Sequence, residues 1–203
     1  MGICLSFFKG KNEAYMIFFS GIFRFIFKQY QAVLNMLRVT KLKLLYPGVS
    51  IDYKTIIGAH CDIVCVKGGK LHISNSSIKA GTHIFADANS TLSISNCFIG
   101  RNCVVTAKES VTIMPGCLIA EMVVIRDQDH ILESRVNQQS NEGFTTAPVC
   151  IGENVWLASK ATVLKGVTVG TGAVVAASAV VNTSIPAGEL WGGIPAKFIK
   201  KIE

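Results

Sequence analysis

His130 stands in the densest run of ionisable groups in the chain: Arg126-Asp127-Gln128-Asp129-His130, followed by Glu133 and Arg135. A neutral imidazole takes the proton of a weak nucleophile, such as a hydroxyl, as that nucleophile attacks. A neighbouring carboxylate fixes the imidazole tautomer and stabilises the imidazolium that forms. Asp127 and Asp129 are both candidates for that second role. Alternate residues of an extended chain point to opposite sides, so the sequence does not choose between them. Glu133 and Arg135 are candidates for contact with the group acted on. Trp156 and the basic tail Lys197, Lys200 and Lys201 are the other residues with no evident packing reason.

Position is what makes the run around His130 stand out. From Val149 to Ile185 the chain repeats in sixes: Ile151, Leu157, Val163, Val169, Val175 and Val181. Four places after each comes a small or branched residue: Val155, Ala161, Val167, Ala173, Ala179 and Ile185. A helix repeats at about 3.6 residues and a strand at 2, so a period of six suits neither alone. It suits short straight segments joined by tight bends, three to a coil, each pointing an aliphatic side chain inward. Earlier coils are looser: Ile57, Ile78 and Ile99 are spaced by 21, as are Ile63, Ile84 and Val105. Leu71-x-Ile73, Leu92-x-Ile94 and Val111-x-Ile113 mark a third face. Asn75, Asn89 and Asn96 suit corners with left-handed backbone. The repeat lapses only between Ile125 and Ile151, so His130 lies in a loop, 126–148, ejected from an otherwise regular scaffold, and such loops commonly carry function.

The hexads resemble those of the hexapeptide-repeat acyltransferases, sugar and polysaccharide O-acetyltransferase branch, similar to galactoside and maltose acetyltransferases. The resemblance covers roughly residues 50–200. It implies an all-β fold, a left-handed parallel β-helix (hexapeptide-repeat solenoid), with an N-terminal amphipathic α-helix added in this chain. It implies acetyl-CoA as donor and no required metal. A His in a loop before an Asn-Val-Trp hexad is the family's base, and His130 matches by position, although Ile131 stands where the family often has Pro. The Asp-x-Asp-His form is similar to the branch that modifies bacterial surface polysaccharides. Asn154-Val155-Trp156 with Leu157-Ala158-Ser159 resembles the segment lining the acyl-donor site: Trp156 as a wall, Ser159 as a backbone N–H near the thioester, Ala177 as a contact to the pantetheine arm. Gly192-Gly193-Ile194-Pro195-Ala196-Lys197 resembles the closing signature, with Lys197 and Lys200 near the coenzyme A phosphates. A homotrimer is the family's assembly.

Composition bounds the rest. Of 203 residues half are hydrophobic and 16% charged, enough for a sizeable core in one domain with an appendage. The expected division is 1–46, a helical segment, and 47–203, the β-helix domain with its cap at 186–203. Net charge is +7, and residues 1–46 hold seven Lys/Arg against one Glu. The repeat region is therefore nearly neutral, which argues against a nucleic-acid-binding surface there. The seven Cys show no CxxC or paired zinc spacing. Cys61, Cys103 and Cys117 fall at small inward positions and read as reduced core residues of a cytoplasmic protein.

Residues Ala14–Arg38 read as one helix with a narrow polar stripe of Ser20, Arg24, Lys28, Gln31, Asn35 and Arg38. Five Phe lie between Phe18 and Phe27. Arg24 and Lys28 argue against a membrane span. Two readings stay open: packing on protein, or membrane-surface association with Lys41 and Lys43 facing anionic headgroups. Met1-Gly2-Ile3-Cys4-Leu5-Ser6 fits the N-myristoylation pattern. No secretory signal is expected, since no basic stretch precedes the apolar run and no small-residue cleavage site follows it.

The expected reaction is therefore transfer of acetyl to a sugar hydroxyl of a bacterial surface glycan or its precursor. An N-acetyltransferase on an amino-sugar nucleotide would share nearly every motif. A zinc hydratase of the γ-carbonic-anhydrase type would need stacked histidines, yet His60 lies three residues after Ile57 and His83 five after Ile78. A non-catalytic scaffold is the remaining alternative. Acceptor sugar and hydroxyl position stay open.

Overall fold

The computed structural model describes residues 3–131 and 143–202, with side chains from residue 23 onward. The chain divides after Arg38 into two units. A single helix runs Ile3–Leu45, longer at both ends than the expected Ala14–Arg38. No proline occurs before Pro47, and Lys43 in the last turn complements the helix dipole, so nothing stops the helix until Pro47-Gly48. Within the second unit Val39 is fully buried, Leu42 and Tyr46 pack against the core, and Lys43 lies over the Tyr53 ring at 4.3 Å.

The second unit is a parallel β-helix, as the hexads require. Its strands stack into three parallel faces. Face A carries Val49–Ile51, Lys70–Ser74, Thr91–Ser95, Ser110–Ile113, Val149–Ile151 and Thr168–Val169. Face B carries Ile56–Ile57, Ser77–Ile78, Phe98–Ile99, Leu118–Ile119, Trp156–Leu157 and Val174–Val175. Face C carries Asp62–Cys65, His83–Ala86, Val104–Ala107, Val124–Arg126, Thr162–Val163 and Val180–Val181. Residues of successive coils pair directly, so like sits on like: Ile57, Ile78, Ile99, Ile119, Leu157 and Val175 form one continuous inward ladder. Each of these is buried. The spacing of 21 between early coils is visible in the register, Leu71 on Leu92 and Ile78 on Ile99. It closes to 18 later, Leu157 on Val175. The extra residues of early coils lengthen faces A and C, whose strands reach five and four residues against two on face B.

Sharp corners need left-handed backbone. Asn75, Asn89 and Asn96 adopt it, with φ of 43°, 62° and 50°, and Asn102 and Asn154 do the same. The corner between faces B and C uses it in every coil, at His60, Gly81, Asn102, Met122, Lys160 and Ser178. Gly81 has a φ of 76°, which side chains rarely adopt, and a Cβ there would also displace the Asn102 side chain of the next coil. Small or polar side chains line the inside of the corners. Cys103 and Cys117 are buried there as expected, Cys61 is half-buried, and burial pushes the Cys103 thiol up toward its protonated form.

After Val181 the coil meets Ile185, and the chain finishes as an antiparallel hairpin, Glu189–Gly193 with Ala196–Lys201, on the end of face B. A second hairpin interrupts the solenoid. Gln128–His130 pairs antiparallel with Phe144–Thr146, forming an arm that leaves the corner between faces C and A.

Candidate active site

The arm is rooted by Asp127, which is fully buried. Its carboxylate accepts the backbone N–H groups of Lys108, Glu109 and Ser110 at 2.8, 2.8 and 2.7 Å, the adjacent corner in the stack. Its own carbonyl accepts the N–H of Ala147, whose carbonyl accepts that of Gly166. The chain therefore leaves and re-enters the solenoid beside one buried carboxylate. Of the two carboxylates expected as partners of the imidazole, Asp127 or Asp129, Asp127 has both oxygens on backbone donors that would otherwise be unpaired.

His130 follows three residues later on the exposed strand of the arm. Its partner across the ladder is Phe144, with ring centroids 4.3 Å apart. Asp129 has the opposite side of the strand and pairs with Lys165 at 3.4 Å, and Lys165 also donates to Thr145 Oγ1. Among the described residues neither Asp127 nor Asp129 hydrogen-bonds the imidazole. Lys108 Nζ lies 4.0 Å from the Phe144 ring centroid and is ion-paired with Asp87. That ammonium holds the Asp87 carboxyl below the usual carboxylate range, against the opposing effect of burial. Glu133 and Arg135 lie outside the described residues.

The expected donor residues gather elsewhere, on face B and its edge. Trp156 points outward and is 49% exposed. It heads a row of exposed apolar residues in direct register, Phe98, Leu118 and Trp156, which continues through the half-buried Ser77 to the exposed Ile56. A face with inward aliphatics has no packing need for these on its other side. Ser159 lies at the corner between faces B and C, and the Ser178 N–H donates to its carbonyl at 2.9 Å, so Ala177 sits at the same corner one coil on. Lys197 and Lys200 are exposed on the hairpin strand beyond, opposite Gly192 and Leu190. Trp156, Ser159, Ala177 and the two lysines thus occupy one continuous surface. The arm leaves from the corner that face B does not share, so His130 is not brought to that surface within the chain's own coil.

His60, His72 and His83 sit at the B–C corner, on face A and on face C, on three different sides. Among the described residues one of these histidines has an acidic partner that the motifs did not mark: His83 Nδ1 and Asp62 Oδ2 meet at 2.9 Å on face C. The 21-residue spacing of the two would have found it. Phe144 and Lys108 were also passed over. Lys108 lies 21 residues after Asp87, the same signal, whereas Phe144 has no periodic cue because the arm breaks the repeat. Among the described residues no group of three His, Cys, Asp or Glu could hold a metal ion.

A repeat of six, stacked in three parallel faces with an ejected arm and a closing hairpin, defines a hexapeptide-repeat β-helix. Residues 151–183 match the family model for the bacterial transferase hexapeptide (six repeats), and the chain carries that repeat. It is 40% identical over 100 residues to WbbJ of Escherichia coli strain K12, provisionally named a lipopolysaccharide biosynthesis O-acetyl transferase, covering 46% of this chain and 51% of WbbJ. It is 33% identical over 102 residues to Rv3034c of Mycobacterium tuberculosis, provisionally named an acetyltransferase, covering 50% of this chain and 34% of that protein. The chain thus spans about half, or less, of the length of these relatives. Its fold is similar to that of AntD, an N-acyltransferase from Bacillus cereus solved with dTDP and 3-hydroxybutyryl-CoA: TM-score 0.67, 14% identity, 81% of this chain and 88% of that one.

Proposed function

We propose that this protein is an acetyl-CoA-dependent O-acetyltransferase acting on a sugar hydroxyl of a bacterial surface polysaccharide or its precursor. The observation that carries the reading is the surface joining Trp156, Ser159, Ala177, Lys197 and Lys200 on a hexapeptide β-helix, with a histidine on the one arm that leaves it. The 40% identity to WbbJ supports the sugar O-acetyl class.

Acetyl-CoA supplies the activated acyl group as a thioester. The donor surface fits it: small Ser159 and Ala177 side chains leave room for a thin pantetheine arm, and two exposed lysines suit phosphates as point charges. Trp156 walls the acyl end. His130 takes the proton of the acceptor hydroxyl as its oxygen bonds to the acyl carbon. The Ser159 backbone N–H stabilises the oxyanion that develops on the carbonyl. As the carbon–sulfur bond breaks, His130 returns the proton to the departing thiolate, leaving the O-acetyl sugar and free coenzyme A. Asp129 and Asp127 act on the arm rather than on the ring, Asp127 through its root and Asp129 through Lys165.

Because the arm and face B lie on different sides, the site is completed between copies of the chain. The outward apolar residues Phe98, Leu118 and Trp156 support such a face, and in this reading the assembly is the homotrimer that the family resemblance implies. The working location in this reading is the cytoplasm, where acetyl-CoA is made, at the inner face of the membrane. Among the described residues no helix is long and apolar enough to cross a membrane. The helix instead suits a membrane surface: Phe23, Phe25, Ile26, Phe27, Tyr30, Val33, Met36 and Leu37 are all exposed, while Arg24, Lys28 and Arg38 share one arc.

The test is acetyl transfer from labelled acetyl-CoA to a panel of sugars, nucleotide sugars and lipid-linked glycans. O-acetyl ester on a sugar, labile to mild base, is the expected product. A base-stable amide on an amino sugar would overturn the hydroxyl assignment, and no transfer to any acceptor with no coenzyme A binding would make the protein a scaffold.

A further inference from the structure

We propose that Phe144 is a positioning residue for His130, fastened to the rigid solenoid by Lys108 and Asp87. The inference rests on the reading of His130 as the base, and adds how that base is aimed.

An arm of two short strands has little of its own to hold a ring in place, since an isolated hairpin is marginal in water. The imidazole also has no hydrogen-bonding partner among the described residues that would fix its orientation. Phe144 supplies another restraint. It stands directly opposite His130 in the ladder, and the rings meet at 4.3 Å with their planes 42° apart. Phe144 is 38% exposed, so core packing does not account for an aromatic there.

The Phe144 ring is in turn tied to the coils. Lys108 Nζ lies 4.0 Å from its centroid, within reach of a cation–π contact. Lys108 is itself tethered: its ammonium is paired with Asp87 of the preceding coil, and both side chains are about three-quarters covered. Its backbone N–H is held by Asp127 at 2.8 Å. On the arm's other side Lys165 holds Asp129 and Thr145. The hairpin is therefore gripped by lysines from the coils on either side of it. The path Asp87–Lys108–Phe144–His130 carries the rigidity of stacked coils out to the reacting group. A shift of about 1 Å at a catalytic group can cost about 10²-fold in rate.

A double-mutant cycle on the full chain tests this. Phe144→Leu should lower kcat about tenfold, short of the limit for outright misplacement, with KM for acetyl-CoA unchanged. Phe144→Tyr, which keeps the ring, should recover most of that loss. In the His130→Ala background Phe144→Leu should cost nothing further, because residues acting as a unit are not additive. Lys108→Met should move kcat in the same direction by less. Side-chain NMR of selectively labelled His130 gives a readout independent of turnover: restricted ring motion in the parent protein and averaged motion in Phe144→Leu. An equal fall in both backgrounds, failure of tyrosine to recover kcat, or an imidazole equally ordered without Phe144 would overturn the proposal. Loss of the base reading itself has a different signature, a His130→Ala variant with parental turnover.

Discussion

His130→Ala removes one ring from an exposed arm strand and leaves every buried ladder intact. Turnover should fall about 10²–10⁴-fold, the usual worth of a general base, while the melting temperature stays essentially at the parental value. Steady-state kinetics beside a thermal melt check both halves, and parental turnover would remove His130 from the mechanism. Asp127→Ala should do the reverse. Three backbone N–H groups lose a charged acceptor at a partly buried corner, which should cost about 2–4 kcal/mol by denaturant unfolding. Asp127→Asn, which keeps one acceptor oxygen, should cost less. If Asp127 instead served the chemistry, the alanine variant would lose activity without losing stability.

Two elements at opposite ends of the chain make separable predictions. On the closing hairpin, Lys197 and Lys200 are exposed on one strand, and a charge-assisted bond to phosphate is worth about 1.5–3 kcal/mol, less when exposed. The double variant Lys197→Ala/Lys200→Ala should raise KM for acetyl-CoA several-fold and leave KM for the acceptor unchanged at low salt. Unchanged donor binding would return the tail to solvated charge. At the other end, the helix exposes a run of aromatic and aliphatic residues, with Arg24, Lys28 and Arg38 grouped on a narrow arc. The full chain should bind vesicles of anionic lipid, more weakly as salt rises, because the cationic part of the attraction is screened. Removing residues 1–38, the first unit, should abolish vesicle binding while coenzyme A binding persists. A parent protein that ignores vesicles, with a truncated form that no longer assembles, would make the helix a packing element.

At the scale of the molecule, face B and the arm belong to different sides of the solenoid. If the site forms between copies, a His130→Ala protomer still offers an intact donor surface, and a Trp156→Ala protomer still offers an intact arm. Co-expressing the two inactive variants should therefore recover part of the parental activity in mixed oligomers, read as turnover of the co-purified protein. Two variants that stay inactive together would place both residues in one protomer's site. Sedimentation or light scattering should return three chains per particle.

The inward ladders were legible because a β-helix is a nearest-neighbour structure. Each coil repeats the same burial problem, so the aliphatics recur at fixed spacing and Ile57, Ile78 and Ile99 could be stacked on paper. Corner asparagines were legible for the same reason, since left-handed backbone tolerates few residue types. The lapse after Ile125 marked the arm. Periodicity ends where the arm begins, however, and from there only the tertiary structure decided. It turned Asp127 inward to three backbone donors and Asp129 toward Lys165. It set Phe144 across from His130 on a two-residue alternation that no hexad predicts. It tied that ring to Lys108 through a contact between coils. Sequence spacing reports which residues share a face of a regular element; which side of an irregular one a side chain takes depends on partners far away along the chain.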